Sequence, residues 1–115
     1  MQKISHRSTA ERFRRCKPGS KFLITIGPVW RTNLPPYNEW KTEKIIVRVA
    51  GTFHTQRSLT FKVFFFRRGK RCGERYLDFD ILKNLWTYTK DEKKKHLTRG
   101  DPRIVIYIEI VHCRI

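Results

Sequence analysis

Between Lys62 and Arg75 the chain carries six cations: Lys62, Arg67, Arg68, Lys70, Arg71 and Arg75. Four of them fall in the glycine-bearing stretch Arg67-Arg68-Gly69-Lys70-Arg71-Cys72-Gly73, which reads as a turn. Long cationic side chains on a turn reach successive phosphates, and neutralising phosphates releases condensed counterions, the main source of sequence-independent affinity for nucleic acid. Arginine dominates the group, which suits bidentate phosphate contacts and stacking on bases. A second cluster, Lys3, Arg7, Arg12, Arg14, Arg15, Lys17 and Lys21, shares the first 21 residues with one acid, Glu11. A third runs from Lys90 to Arg103, where Lys93-Lys94-Lys95 is offset by Asp91, Glu92 and Asp101. A basic turn at a sheet margin also protects an edge from unwanted pairing, and the same composition occurs in nuclear-localisation patches.

Aromatic residues interleaved with cations separate one kind of nucleic acid from another. Single strands are held by bases stacked on rings inside a basic groove, at about 1–3 kcal/mol per base. Trp30, Arg31, Tyr37, Trp40 and Lys41 bracket Pro35-Pro36, and Phe64 and Phe66 share a strand face with Lys62. The competing role for each ring is ordinary core packing. No segment has the basic, polar helical face of a major-groove reader, so recognition by backbone, shape and stacking is expected over sequence-specific duplex binding.

Catalytic chemistry finds little to work with. GxSxG, P-loop, GxGxxG and HExxH patterns are all missing, and nothing in the sequence calls for a cofactor. Asp78 and Asp80 would share one face of a strand, and Glu39-Trp40-Lys41 has the E-x-K spacing of some metal-dependent nucleases. Helix capping is a sufficient role for Asp80. The three cysteines, Cys16, Cys72 and Cys113, are too few and too scattered for a disulfide framework, and no CxxC or HxxxH offers metal-ligand spacing. Free thiols in a reducing compartment are the expectation.

The whole composition points the same way. The 115 residues are one domain's worth, with 39% hydrophobic and 13% aromatic residues to build a core. Lys and Arg number 26 against 10 acids, a formal charge of +16. A charge of that size works against compaction and implies a polyanionic partner that offsets it. The longest apolar run is Ile104–Ile108, too short for a transmembrane helix, and the basic first twenty residues do not read as a secretory signal. The location expected is intracellular, cytoplasmic or nuclear.

The elements that must position these groups are mostly strands. Phe22–Ile26 is an apolar run closed by Gly27-Pro28, Lys44–Ala50 a second strand, Leu59–Phe66 a third and Glu74–Phe79 its hairpin partner. In the third, Leu59, Phe61, Val63 and Phe65 alternate with Thr60, Lys62, Phe64 and Phe66, so one face is core. Arg103–Cys113 carries the row Ile104, Ile106, Ile108, Ile110 and reads as a central, buried strand. Asp80 is expected to cap a helix ending near Tyr88, with Ile81, Leu82, Leu85 and Trp86 on one face. Ser8-Thr9-Ala10-Glu11 has capping-box spacing for a short helix through Cys16, halted by Pro18-Gly19.

The sequence therefore predicts a mostly β or α+β domain over 22–115, a small antiparallel sheet or open barrel of five to six strands with one short helix, preceded by a basic arm over 1–21 with few apolar contacts. Its expected function is non-enzymatic binding of single-stranded DNA or RNA. Two alternatives stand beside it: a self-associating structural, packaging or movement protein of the viral type, and a small metal-dependent nuclease using Asp78 and Asp80.

Overall fold

In the computed structural model, residues 6–31, 39–89 and 105–115 are described. The chain runs α1 (His6–Arg14), β1 (Lys21–Arg31), β2 (Glu39–His54), β3 (Ser58–Arg67), β4 (Lys70–Asp80), β5 (Leu85–Thr89) and β6 (Val105–His112). The strands form one antiparallel sheet in the order β5-β4-β3-β2-β1-β6. It curls into a half-barrel whose edge strands, β5 and β6, come into contact. Among the described residues the fold is mostly β, as the strand pattern predicts, with one short helix.

Alternation decides the inside. Phe22, Ile24, Ile26, Val47, Val49, Leu59, Phe61, Val63, Leu77, Phe79, Tyr88 and Ile108 are buried in one core on the concave face. α1 lies over that face. At nine residues it is too short to persist alone in water, so packing must hold it. Ala10, Phe13 and Cys16 supply that packing, all buried. The Phe13 ring meets Trp86 at 4.9 Å and Phe22 at 5.3 Å, edge to face. The expectation of an arm with few apolar contacts is therefore corrected: three small or aromatic residues tie it to the core. The described helix spans His6–Arg14, so Ser8 and Glu11 lie inside it rather than at its start.

Three further expectations change. Asp80–Tyr88 is not a helix. The Asp80 carboxylate does cap, but it accepts the Lys83 N–H (3.1 Å) within a tight turn, and Asn84 (φ 50°) adopts the left-handed conformation that an Asn tolerates. Trp86, Thr87, Tyr88 and Thr89 then follow their β propensity into a strand beside β4. Gly27-Pro28 does not end β1. The pairing with β2 shifts register between Ile26 and Val29, a bulge that accommodates a proline within a strand. A Cβ on Gly27 would sit 2.8 Å from the Thr42 Cα, so only glycine allows this approach. Finally, β6 is an edge strand, although its described isoleucines do face the core: Ile108 is buried, and Ile106 and Ile110 pack against it. An edge strand of a curled sheet buries one row without lying at the centre. Ile104 lies outside the described residues.

Candidate nucleic-acid interface

The β3–β4 hairpin closes on Arg67↔Lys70, leaving only Arg68 and Gly69 in the turn. Both have positive φ, 52° and 76°, the geometry of the two-residue turn that matches strand twist. Glycine takes that conformation freely, whereas Arg68 holds it at a penalty of roughly 1 kcal/mol. Lys70, Arg71, Cys72 and Gly73, expected in the turn, belong to β4.

Below this tip three consecutive phenylalanines each carry a guanidinium. Arg71 lies 4.4 Å from the Phe64 ring centre, Arg75 4.6 Å from Phe65 and Arg48 5.2 Å from Phe66. Arg67 approaches Phe65 as well, at 6.0 Å. A bulge between Phe65 and Phe66 and the alternation of the strand distribute these stacks over both faces of the sheet. Lys62, expected beside the rings, forms an ion pair with Glu74 at 3.4 Å. Arg75 also donates from Nη1 to the Glu74 carbonyl (2.7 Å). Rings thus cover most of the arginines here, an arrangement worth about 0.5–1 kcal/mol per pair at exposed sites.

Arg48, Phe65, Phe66, Arg67 and Arg75 meet at a gap in the sheet, whereas Lys62, Phe64 and Arg71 do not line it. The β2–β3 ladder begins at Val47↔Phe65, so the first half of β2 runs on beside β1 alone while Phe66 and Arg67 continue up the hairpin. The two arms diverge and leave an open cleft of about 1090 Å³. Lys21, Lys44, Arg48, Arg67 and Arg75 bring positive charge to it, Phe65, Phe66 and Tyr88 bring rings, and Glu43 is its acid. Burial pushes the Tyr88 hydroxyl pKa up, and Glu43 adds to this while Arg75 opposes it. Tyr88 therefore stays a neutral donor beside the Arg75 guanidinium.

Other predicted positions lie elsewhere. Arg14 donates from Nη2 to the Thr55 carbonyl (2.7 Å), in the β2–β3 loop. That loop is at the opposite end of β3 from the hairpin tip, roughly 30 Å away for a ten-residue strand. Arg12, Arg15 and Lys17 are exposed on or just after α1, and the Arg7 side chain is outside the described set. Trp30↔Trp40 and Arg31↔Glu39 are register partners at the far end of β1–β2, so these residues lie in strands rather than the expected loop; their side chains are not described. Tyr37 and the cluster from Lys90 to Arg103 lie outside the described residues. Of the nuclease candidates, Asp78 accepts a hydrogen bond from the Thr60 hydroxyl and Asp80 holds its turn.

Arg48, Lys44, Tyr88 and the cleft role of Phe65 escaped the sequence reading. Arg48 had a signal: in Lys44-Ile-Ile-Val-Arg-Val-Ala50 alternation sets Lys44, Ile46 and Arg48 on the face opposite Val47 and Val49. No protein-family model, curated protein or solved structure matches this chain. Among the described residues no helix is long and apolar enough to cross a membrane.

Proposed function

We propose that this protein binds single-stranded DNA or RNA without catalysing a reaction, and that the cleft between β2 and the β3–β4 hairpin receives the strand. One observation carries the reading: among the described residues, five cations and three rings converge on one open cleft with a single acid. The cleft is open rather than enclosed, which suits a chain passing through it. The arginine–phenylalanine stacks supply a mechanism. A guanidinium that swings from its ring to a phosphate uncovers a face on which a base can stack. The strained Arg68 fits the same role, since a charge kept at a tip against local backbone preference is expected where the charge has a partner.

The test is a salt titration with one labelled oligonucleotide presented as single-stranded DNA, single-stranded RNA and duplex DNA. The five cleft cations together with Arg68 at the tip give a log–log slope of about −4 on a single strand. Replacing Arg48, Arg67 and Arg75 with Ala should flatten that slope by about 2. Absence of binding at low salt, or an unchanged slope in the triple variant, overturns the assignment.

A self-associating structural role is favoured by one feature, the edge strand β6, where Tyr107 and Val111 are exposed. Light scattering across a concentration series separates it, since an isolated binding module stays monomeric.

A further inference from the structure

Two of the three cysteines, far apart in sequence, are brought into contact. The Cys16 Sγ lies 2.7 Å from the Cys113 Sγ, against the ~2.05 Å of a formed disulfide. Both backbones are pinned beside the pair. The Lys17 N–H donates to the Arg114 carbonyl (2.8 Å), and the Arg114 N–H donates to the Ser20 hydroxyl (2.8 Å). The buried Ser20 hydroxyl in turn donates to the Lys17 carbonyl (2.7 Å). Each hydrogen bond is adjacent in sequence to a cysteine or one turn from it, so the two thiols are held at this separation by three backbone-anchored contacts. Cys72, exposed on β4, takes no part.

We propose that Cys16 and Cys113 form an oxidative modification site, closed to one intramolecular disulfide by exchange with a low-molecular-weight disulfide of the glutathione type. The half-buried Cys113 is the thiol an external oxidant can reach, while Cys16 is buried. The Cys113 thiolate attacks one sulfur of the oxidant, forming a mixed disulfide and releasing one thiolate. The Cys16 thiolate then attacks the Cys113 sulfur, the mixed disulfide breaks and a second thiolate leaves. In balance, two protein thiols give up two protons and two electrons, and the oxidant becomes two small thiols. Desolvation pushes the Cys16 pKa up to about 12, with Cys113 beside it adding to the rise and Arg12 opposing it. Cys16 therefore stays protonated while Cys113 is a free thiol, and exposure fixes Cys113 as the first to attack. Arg12, close enough to act on Cys16, favours an anionic oxidant.

The bond would join the residues that follow α1 to the residues that follow β6. Crosslinks that close long loops restrict the unfolded chain most, and here the partners are 97 positions apart. The oxidised protein should therefore melt on the order of 10 °C higher than the reduced one.

The experiment uses the full chain carrying Cys72→Ser, incubated with oxidised glutathione under native conditions. The expected result is an intact mass lighter by two hydrogens and a proteolytic peptide pair linking Cys16 to Cys113. The melting temperature should rise and return on addition of a reductant. Glutathione adducts that persist without the cross-link, or thiols that stay fully alkylatable, overturn the proposal. Adding Cys113→Ser should abolish the mass loss; if that variant fails to fold, the peptide map of the Cys72→Ser protein alone decides. The outcome is independent of nucleic-acid binding.

Discussion

The two faces of β3 use the same residue type to opposite ends. Phe61 points into the half-barrel, fully buried, with Phe22, Phe13 and His54 stacked around it. Phe64 and Phe66, one and two pleats further along on the convex side, are only half-buried and are covered by Arg71 and Arg48. An aromatic covered by a helix and strands is committed to the core. One covered by a guanidinium can be uncovered by moving a flexible side chain, without disturbing the backbone. What lies on top of a ring, more than the ring itself, separates structure from candidate function.

The sharpest way to break this contrast is to remove the cover of the concave face. Deleting residues 1–17 takes away Ala10, Phe13 and Cys16 together, and the loss of Phe13 alone is expected to cost about 3–5 kcal/mol. The truncated chain should lose its cooperative thermal transition; a transition within a few degrees of the full chain would show that the sheet stands without its helix. Next in size is the pair Phe61→Ala and Phe66→Ala in urea melts. The first should lose about 3–5 kcal/mol and the second roughly 1 kcal/mol, with oligonucleotide affinity falling only in the second when both are compared in the folded state. Equal losses of stability would place Phe66 in the core.

Arg68→Gly tests the hairpin tip with effects of opposite sign. Relieving the left-handed backbone should stabilise the fold by about 0.5–1 kcal/mol, while losing one cation weakens binding and shallows the salt slope by about 0.7. The smallest effect concerns His54. Burial lowers its pKa below the ordinary 6.5, a backbone hydrogen bond at Phe53 opposes this, and the nearby Arg14 lowers it further. The unfolded chain therefore binds a proton first as pH falls. Stability is full above about 6.5 and declines below it, until the folded-state pKa is passed. Between pH 7.5 and 5.5 the melting temperature should drop by less than about 5 °C, and His54→Phe should flatten that portion of the profile.

Much of the sheet was legible because alternation is a local signal. Leu59, Phe61 and Val63 are all fully buried as their period-two spacing predicts, and the hairpin that follows has its basic tip. The helix assigned after Asp80 failed because Ile81, Leu82, Leu85 and Trp86 fit a helical face as well as a turn followed by a strand. The pairing with β4 that decides between them is a tertiary contact. The seat of α1 was illegible for a related reason: one Phe and one Cys in a basic segment look like an appendage until a cavity of matching shape exists. The cleft could not be read at all. It arises where the β2–β3 ladder stops, and a ladder's end is a property of register rather than of composition.

The order of strands has a consequence for how the chain comes to be folded. β1 is sandwiched between β2, which follows it closely, and β6, so Phe22 must wait for Ile110 and Ile24 for Ile108. At ribosomal rates of about 5–20 residues per second, roughly 4–18 s separate the emergence of those partners. For that interval the meander β1–β5 can assemble, but one long side of β1 keeps its backbone amides and carbonyls unpaired beside an apolar row. The nascent chain thus carries an open template for strand addition along β1, and that side of β1 is covered when β6 docks.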